Sequence, residues 1–395
     1  MGALLIGVSL PSPQPPQKAL AAPQVSSAAS APASPASTPD AVTVGVEATP
    51  SPTPCSNAIM LGGWSLSRLA EQTIVVPVEE ANVLLVRDEV AAGAGGVILF
   101  GGSAPSNLGA SLQALAAGAP GGIAPFIMTD EEGGVVQRMA NLVGWIPSAR
   151  QMGATLSPAQ IQQLATGLAQ RMRANGITMD LAPVLDVDGG AGPNNVDADG
   201  TRSFSANPTI AANDGVAFAT GLLAGGIIPV VKHFPGLGGT YGNTDVTAAA
   251  TPSWVTLQGA GLLPFEAAVA AHLPAVMIAN ASVPGLSSLP ASLSPAVMTD
   301  VLRNQLGFQG LIITDSLSAV AITSAGYNIP QATVAALRAG ADMVLFNALP
   351  GQVASVTDAT VGAIVAAVNF GTLSRSALES AAGYVLGAKG VNLCS

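Results

Sequence analysis

The sequence predicts a single (β/α)8 TIM-type barrel of the α/β class, preceded by a disordered Pro/Ala/Ser-rich N-terminal segment. Three observations lead there. Eight short Val/Ile-rich runs alternate with longer Ala/Leu-rich segments of helical period. The runs are apolar at almost every position, as suits strands buried on both faces of a parallel sheet. Polar residues collect at the ends of those runs, where a barrel opens its active-site face.

From the N-terminus, MGALLIGVSL has the character of the end of a secretory h-region without its basic n-region. The chain is therefore expected to be extracellular or associated with the cell envelope. Residues 11–54 are Pro, Ala, Ser and Thr for the most part and cannot bury a core. Residues 1–54 read as an export remnant and a spacer, and residues 55–395 as the catalytic domain. Cys55 does not follow an apolar run, so its context does not suit lipidation. Cys55 and Cys394 bracket the domain and are expected to form a disulfide, worth roughly 4–5 kcal/mol in the chain-entropy picture.

The strands are expected at TIVVPV (73–78), GVILFG (96–101), APFIMTD (124–130), ITMDLAPV (177–184), IPVVKHF (228–234), AVMIAN (275–280), GLIITD (310–315) and ADMVLFN (341–347). Between them, SPAQIQQLATGLAQRMRANG and SPAVMTDVLRNQLGF each open on Ser-Pro and continue as amphipathic helices. A doubly wound open sheet is the alternative, but no Gly-x-Gly-x-x-Gly follows the first strand. The strand ends carry Asp130, Asp180 with Asp186, the pair Lys232-His233, Asn280, Asp315 and Asn347. One such residue is a helix cap; so many on one rim point to a site.

Composition narrows the function. The chain is 49% hydrophobic and 9% charged, with a mean hydropathy of +0.50. No uninterrupted apolar run reaches the roughly 18 residues of a membrane span. A formal net charge of −10 without a basic patch argues against a nucleic-acid partner. Neither cysteine has metal-ligand spacing with a histidine, so no metal site and no cofactor are expected. His233 is flanked by Lys232, and His272 lies before the sixth strand, so neither suits a serine triad. Two carboxylates flanking a sugar bond remain, as in retaining glycosidases, where they stand roughly 5–5.5 Å apart. Two other readings stay open: a barrel that binds glycans without cleaving them, and a lyase forming a Schiff base on Lys232.

Four ordered motifs carry a resemblance: TDEEGGVVQRM (129–139), GTRSFSANP (200–208), VKHFPGLG (231–238) and GLIITDSLS (310–318). Together they resemble glycoside hydrolase family 3, in its single-barrel β-N-acetylhexosaminidase branch, over roughly residues 60–350. The resemblance implies a retaining exo-hydrolase acting on terminal β-linked N-acetylglucosamine of cell-wall-derived glycans, a monomer working without cofactor. It implies Asp315 as nucleophile and Asp130 as the carboxylate that clamps sugar hydroxyls. Arg138, Arg202, Lys232 and His233 become donors to the same sugar. Glu131 and Glu132 are given no such role, and one of them is expected simply to pair with Arg138.

The chain departs from that pattern at Val135, which replaces an arginine, and at Leu237, which replaces a second histidine. The larger departure follows KHFPGLG. There the family has Asp-Ser-His, whose histidine is the acid/base; here the count gives Asn243-Thr244-Asp245. A carboxylic acid needs no aspartate to stabilise a charged form, and an asparagine beside it adds no repulsion. Asp245 is therefore expected to be the general acid/base, with Asn243 orienting it. Gly236, Gly238, Gly239 and Gly242 supply unusual backbone angles and a loop able to close. The same departures leave a glucose-type specificity as the alternative.

Overall fold

A computed structural model describes residues 59–393 of the 395-residue chain. The expected Cys55–Cys394 disulfide and the 1–54 segment lie outside the described residues. Eight strands follow one another around a ring: β1 Ile74–Glu79, β2 Gly96–Phe100, β3 Phe126–Thr129, β4 Met179–Asp180, β5 Ile228–Phe234, β6 Ala275–Ile278, β7 Leu311–Thr314 and β8 Val344–Leu345. Each of β1 to β7 pairs in parallel with its neighbours in sequence, and β8 pairs with β1. A parallel bridge between Ile313 and Met343 joins β7 to the entry of β8. The closed ring is the predicted (β/α)8 barrel, not the open sheet.

β4 is shorter than the sequence suggests. Pro183 has no N–H to give the ladder, and the run rejoins β5 through the Val230 N–H bond to the Ala182 carbonyl at 3.1 Å and the Val184–Lys232 bridge. Along the apolar strands, alternate residues go to different cores. Ile98, Met128, Met277, Leu311, Ile313 and Leu345 fill the lumen. Their neighbours Val97, Leu99, Val276, Ile312 and Val344 pack outward beneath the helices. Such two-sided burial is why these strands read as continuous hydrophobic runs.

The outer helices explain the Ala and Gly content. Pro158–Ala174 starts with a capping box between Ser157 and Gln160, and Pro208–Ala224 is capped by Asn207. The two helices meet through small residues: a Cβ on Gly221 would lie 2.4 Å from the Gln162 carbonyl oxygen. The second Ser-Pro start behaves differently. Its helix, Ala296–Gln305, winds in wide turns without a side-chain cap, and Ser294 contributes its carbonyl oxygen to Val297 and Met298. Among the described residues, one segment, Pro350–Asn369, is long and apolar enough on average to cross a membrane, although polar residues interrupt it. It contains the helix Val353–Asn369, which buries Thr357, Thr360, Val361 and Ile364 against the barrel's outer layer.

Candidate active site

The residues singled out at the rim meet in one cavity of about 490 Å³ at the C-terminal ends of the strands: Asp130, Arg138, Arg202, Lys232, His233, Asn243, Asp245 and Asp315 all line it. Asp130 follows β3 directly. Arg138 follows a small hairpin, Glu131–Gly133 paired with Val136–Gln137. Arg202 ends a single turn, Gly200–Arg202, in the loop after β4. Lys232 and His233 belong to β5 itself and are joined by a cis peptide. Asp315 immediately follows β7.

The floor of the cavity is a chain of buried ion pairs. Lys232 Nζ lies 2.8 Å from Asp130 Oδ1 and 2.6 Å from Glu132 Oε1. Arg202 grips Glu132 with two prongs, Nε to Oε2 at 2.7 Å and Nη2 to Oε1 at 2.8 Å. Arg138 Nη2 reaches Asp130 Oδ2 at 3.6 Å. Burial alone would raise the Glu132 pKa, but Arg202 and Lys232 together hold it well below the usual carboxylate range. Burial would lower Lys232, and Asp130 and Glu132 more than offset it, so the amine stays protonated. That removes the neutral nucleophile a Schiff-base lyase needs.

Glu132 is the residue that sequence reasoning undervalued. It stands two places after Asp130 on the extended rim, so the two side chains share a face; that spacing was the available signal. Neither glutamate pairs with the Arg138 guanidinium. Glu131 instead accepts the main-chain N–H groups of Arg138 and Met139 at 2.8 and 2.7 Å and the Gln137 amide at 2.9 Å, pinning the hairpin.

His233 is held by a carboxylate that the sequence marked only as a strand flank. Its Nδ1 lies 2.6 Å from Asp186 Oδ2, and Asp186 also accepts the N–H groups of His233 and Leu237. Nε2 faces Arg202 Nη2 at 3.4 Å. A cation cannot donate to a protonated nitrogen, so Nδ1 carries the proton and Nε2 accepts. Burial, followed by the charge of Arg202, pushes His233 down to about 4. Burial lifts Asp186 to about 7 against the pull of the Leu237 and His233 N–H groups. Asp199 lies beside them, both oxygens buried without a hydrogen-bond partner. Burial and the charge of Asp186 push it well above the usual range.

Asp186, Asp199 and His233 bring donor atoms within 4.8 Å of one another and form the candidate metal cluster among the described residues. The positive charge there comes from Arg202, 3.8 Å from Asp199.

Asp315 is fixed by its own main chain and its neighbour. Its N–H donates to the Ile278 carbonyl at 2.9 Å, and its Oδ1 accepts the Ser316 N–H at 2.7 Å. Burial raises its pKa, His233 opposes, and the negative charge of Asp245 adds to the rise. Asn280 supports this corner, donating to the Ser316 carbonyl at 2.7 Å and accepting from Ser292 at 2.6 Å. It does not line the cavity, whereas Asn347 does.

The loop after β5 carries the other candidate acid. Asp245 is exposed. Asn243 Oδ1 accepts the main-chain N–H of Asp245 at 3.0 Å, so it positions the residue through the backbone. The loop is laced to its surroundings: Gly242 N–H to the Val196 carbonyl at 3.1 Å, and Ala321 N–H to the Thr244 carbonyl at 3.0 Å. Gly236, Gly239 and Gly242 have φ of 128°, 75° and 107°, and a Cβ on Gly238 would lie 2.0 Å from the Val187 carbonyl oxygen. Of the two lesser departures, Leu237 is buried with Ala279 and Ala281. Val135 is 74% exposed, and Val136 beside it lines the cavity.

Residues 75–388 match the profile described as Glycosyl hydrolase family 3 N terminal domain. Beta-hexosaminidase LpqI of Mycobacterium tuberculosis is 35% identical over 291 residues, 72% of this chain and 72% of that protein. A protein of Arthroderma benhamiae named as a secreted glycosyl hydrolase is 37% identical over 295 residues, 72% of this chain and 81% of its own length. The solved structure of a beta-N-acetylhexosaminidase from Beutenbergia cavernae superposes with a TM-score of 0.75 at 32% identity, covering 83% of this chain and 99% of that one.

Proposed function

The chain belongs to glycoside hydrolase family 3, and from that premise we propose that it is a retaining exo-β-N-acetylhexosaminidase. It removes terminal β-linked N-acetylglucosamine from glycans or peptidoglycan fragments outside the cell or at its envelope. Residues 1–54 act as a spacer, and residues 55–395 as the catalytic domain. The observation that carries the reading is the meeting of Asp315, Asp245 and the Asp130–Lys232–Glu132–Arg202 network on one cavity. The names of the relatives support the sugar.

In the first step Asp315 attacks the anomeric carbon, and the glycosidic bond breaks as Asp245 donates its proton to the departing oxygen. In the second step Asp245 takes a proton from water, whose oxygen displaces Asp315 and restores both carboxyl groups. Asp130 accepts from the sugar hydroxyls, and Arg138, Arg202, Lys232 and neutral His233 flank the same ring. Buried pairing keeps the donors preoriented, so little reorganisation is needed on binding.

The exposed position of Asp245 favours one second reading, a barrel that binds glycans without cleaving them. A panel of aryl β-glycosides on wild type and Asp315→Asn separates the two. The proposal expects turnover of the N-acetylglucosaminide and covalent labelling of Asp315 by a 2-fluoro or 5-fluoro glycoside. Binding without turnover or label favours the second reading, and turnover of the glucoside alone reassigns the sugar.

A further inference from the structure

The opposite end of the barrel holds a cavity that the glycosidase mechanism does not use. It opens at the N-terminal ends of β3 and β5 with a volume of about 520 Å³, within the roughly 300–1,000 Å³ of small-molecule sites. Phe126 and Ile228, the first residues of those strands, line it with Ile123, Ile177 and Val391. Lys389 lines it too, from the C-terminal end of the helix Arg375–Ala388. A cation at that end suits the helix dipole, yet the amine does not bond the helix carbonyls. Its Nζ is buried and has no hydrogen-bond partner among the described residues. It stands 5.3 Å from the centroid of the Phe126 ring. Burial, followed by the charge of Arg68, pushes the amine down to about 7. A second cation, Arg173, lines the same cavity and gives one N–H to the Gly226 carbonyl at 3.3 Å. Among the described residues no aspartate or glutamate lines it, in a chain whose formal net charge is −10.

We propose that this cavity binds a small organic anion, a carboxylate or phosphate head on an apolar body, between Lys389 and Arg173. The inference goes beyond the glycosidase reading and stands whether or not the barrel cleaves glycans. An ammonium buried without an acceptor is costly, and the face of an aromatic ring returns part of that cost. The three N–H donors of the amine and the remaining donors of the guanidinium are what an oxyanion satisfies. Its charge beside Lys389 also favours the protonated amine against burial. A metal or organic cation is the wrong occupant, since two cations and no carboxylate line the wall. A neutral sugar would leave the charge of the amine uncompensated and lose water against the isoleucines. Inorganic phosphate alone would leave the apolar wall bare, whereas an aryl or short alkyl body covers Ile123, Ile177 and Val391.

Calorimetric titration of the full chain with benzoate, phenyl phosphate, inorganic phosphate and benzyl alcohol tests this. One equivalent of benzoate or phenyl phosphate should bind, and the tighter of the two identifies the head group. Inorganic phosphate and benzyl alcohol should bind at least tenfold more weakly than that ligand. Lys389→Met keeps the length of the side chain and removes the amine; it should weaken binding at least tenfold. Arg173→Gln, on an exposed side chain, should weaken it at least threefold and carries the test alone if Lys389→Met does not fold. Arg138→Gln removes a cation of the catalytic cavity and should leave binding unchanged. Absence of saturable binding, binding that Lys389→Met and Arg173→Gln both retain, or a loss confined to Arg138→Gln overturns the inference. Inorganic phosphate bound as tightly as phenyl phosphate overturns the apolar body.

Discussion

Lys232 and Asp245 face the same cavity, yet they are held in opposite ways. Lys232 is 2% exposed and gripped by two carboxylates within 2.8 Å. Asp245 is exposed and positioned through its main chain, by Asn243 on one side and the Thr244 carbonyl on the other. The floor is a closed set of charges in which each member fixes the next. The loop is a shaped strip of backbone that presents one carboxyl group. A group that binds the sugar gains from rigidity, whereas an acid/base must meet solvent to exchange its proton. The difference teaches that the proposed mechanism assigns binding and proton transfer to structurally separate regions, each of which can be broken alone.

The largest effect belongs to Asp315. Asp315→Asn should lower kcat by roughly 10⁴–10⁶, the scale on which loss of a catalytic nucleophile acts, while the unfolding midpoint stays near wild type. Equal activity in initial-rate assays would place the nucleophile elsewhere. Glu132→Gln attacks the floor itself. Leaving Lys232 and Arg202 buried with one charge fewer should cost about 3–5 kcal/mol in denaturant unfolding and raise KM more than it lowers kcat. A small shift in both would mean that the network is not what shapes the sugar site.

Gly238→Ala tests the loop in turn. Its Cβ would sit 2.0 Å from the Val187 carbonyl oxygen, so the loop must move, and kcat should drop at least tenfold. Gly259→Ala is the control, since nothing lies within 4 Å of its Cβ. The smallest effect is a titration. His233 is pushed down to about 4, so the unfolded chain binds the proton first as pH falls. Its contribution is present above about 6.5 and is lost between there and about 4. With two histidines in the chain, the NMR signal of His233 should keep its neutral form at pH 5.5. Titration near 6.5 would contradict the burial and the Arg202 charge as the forces that keep His233 neutral.

Much of this organisation was legible in the sequence, and the reasons are physical. Strands buried on both faces leave continuous apolar runs, so all eight stood out, and their polar ends located the rim. The motifs delivered Asp315, Lys232 and His233 because each sits on or directly after a strand, where sequence position fixes direction. What stayed hidden depends on partners distant in sequence. Glu132 meets Arg202 across 70 residues, and Asp186 meets His233 across 47; neither pairing leaves a periodic trace. The loop glycines announced unusual backbone angles but not the lacing of Gly242 to Val196.

The account turns on Asp245 as the acid/base, and one kinetic comparison tests it most directly. Asp245→Asn is assayed on N-acetylglucosaminides with good and poor leaving groups, with and without azide. The account predicts kcat/KM within about tenfold of wild type for 2,4-dinitrophenol, a loss of roughly 10²–10⁴ for an alkyl alcohol, and formation of the β-glycosyl azide. An equal loss for every leaving group with no azide product, or full activity on all of them, would contradict it.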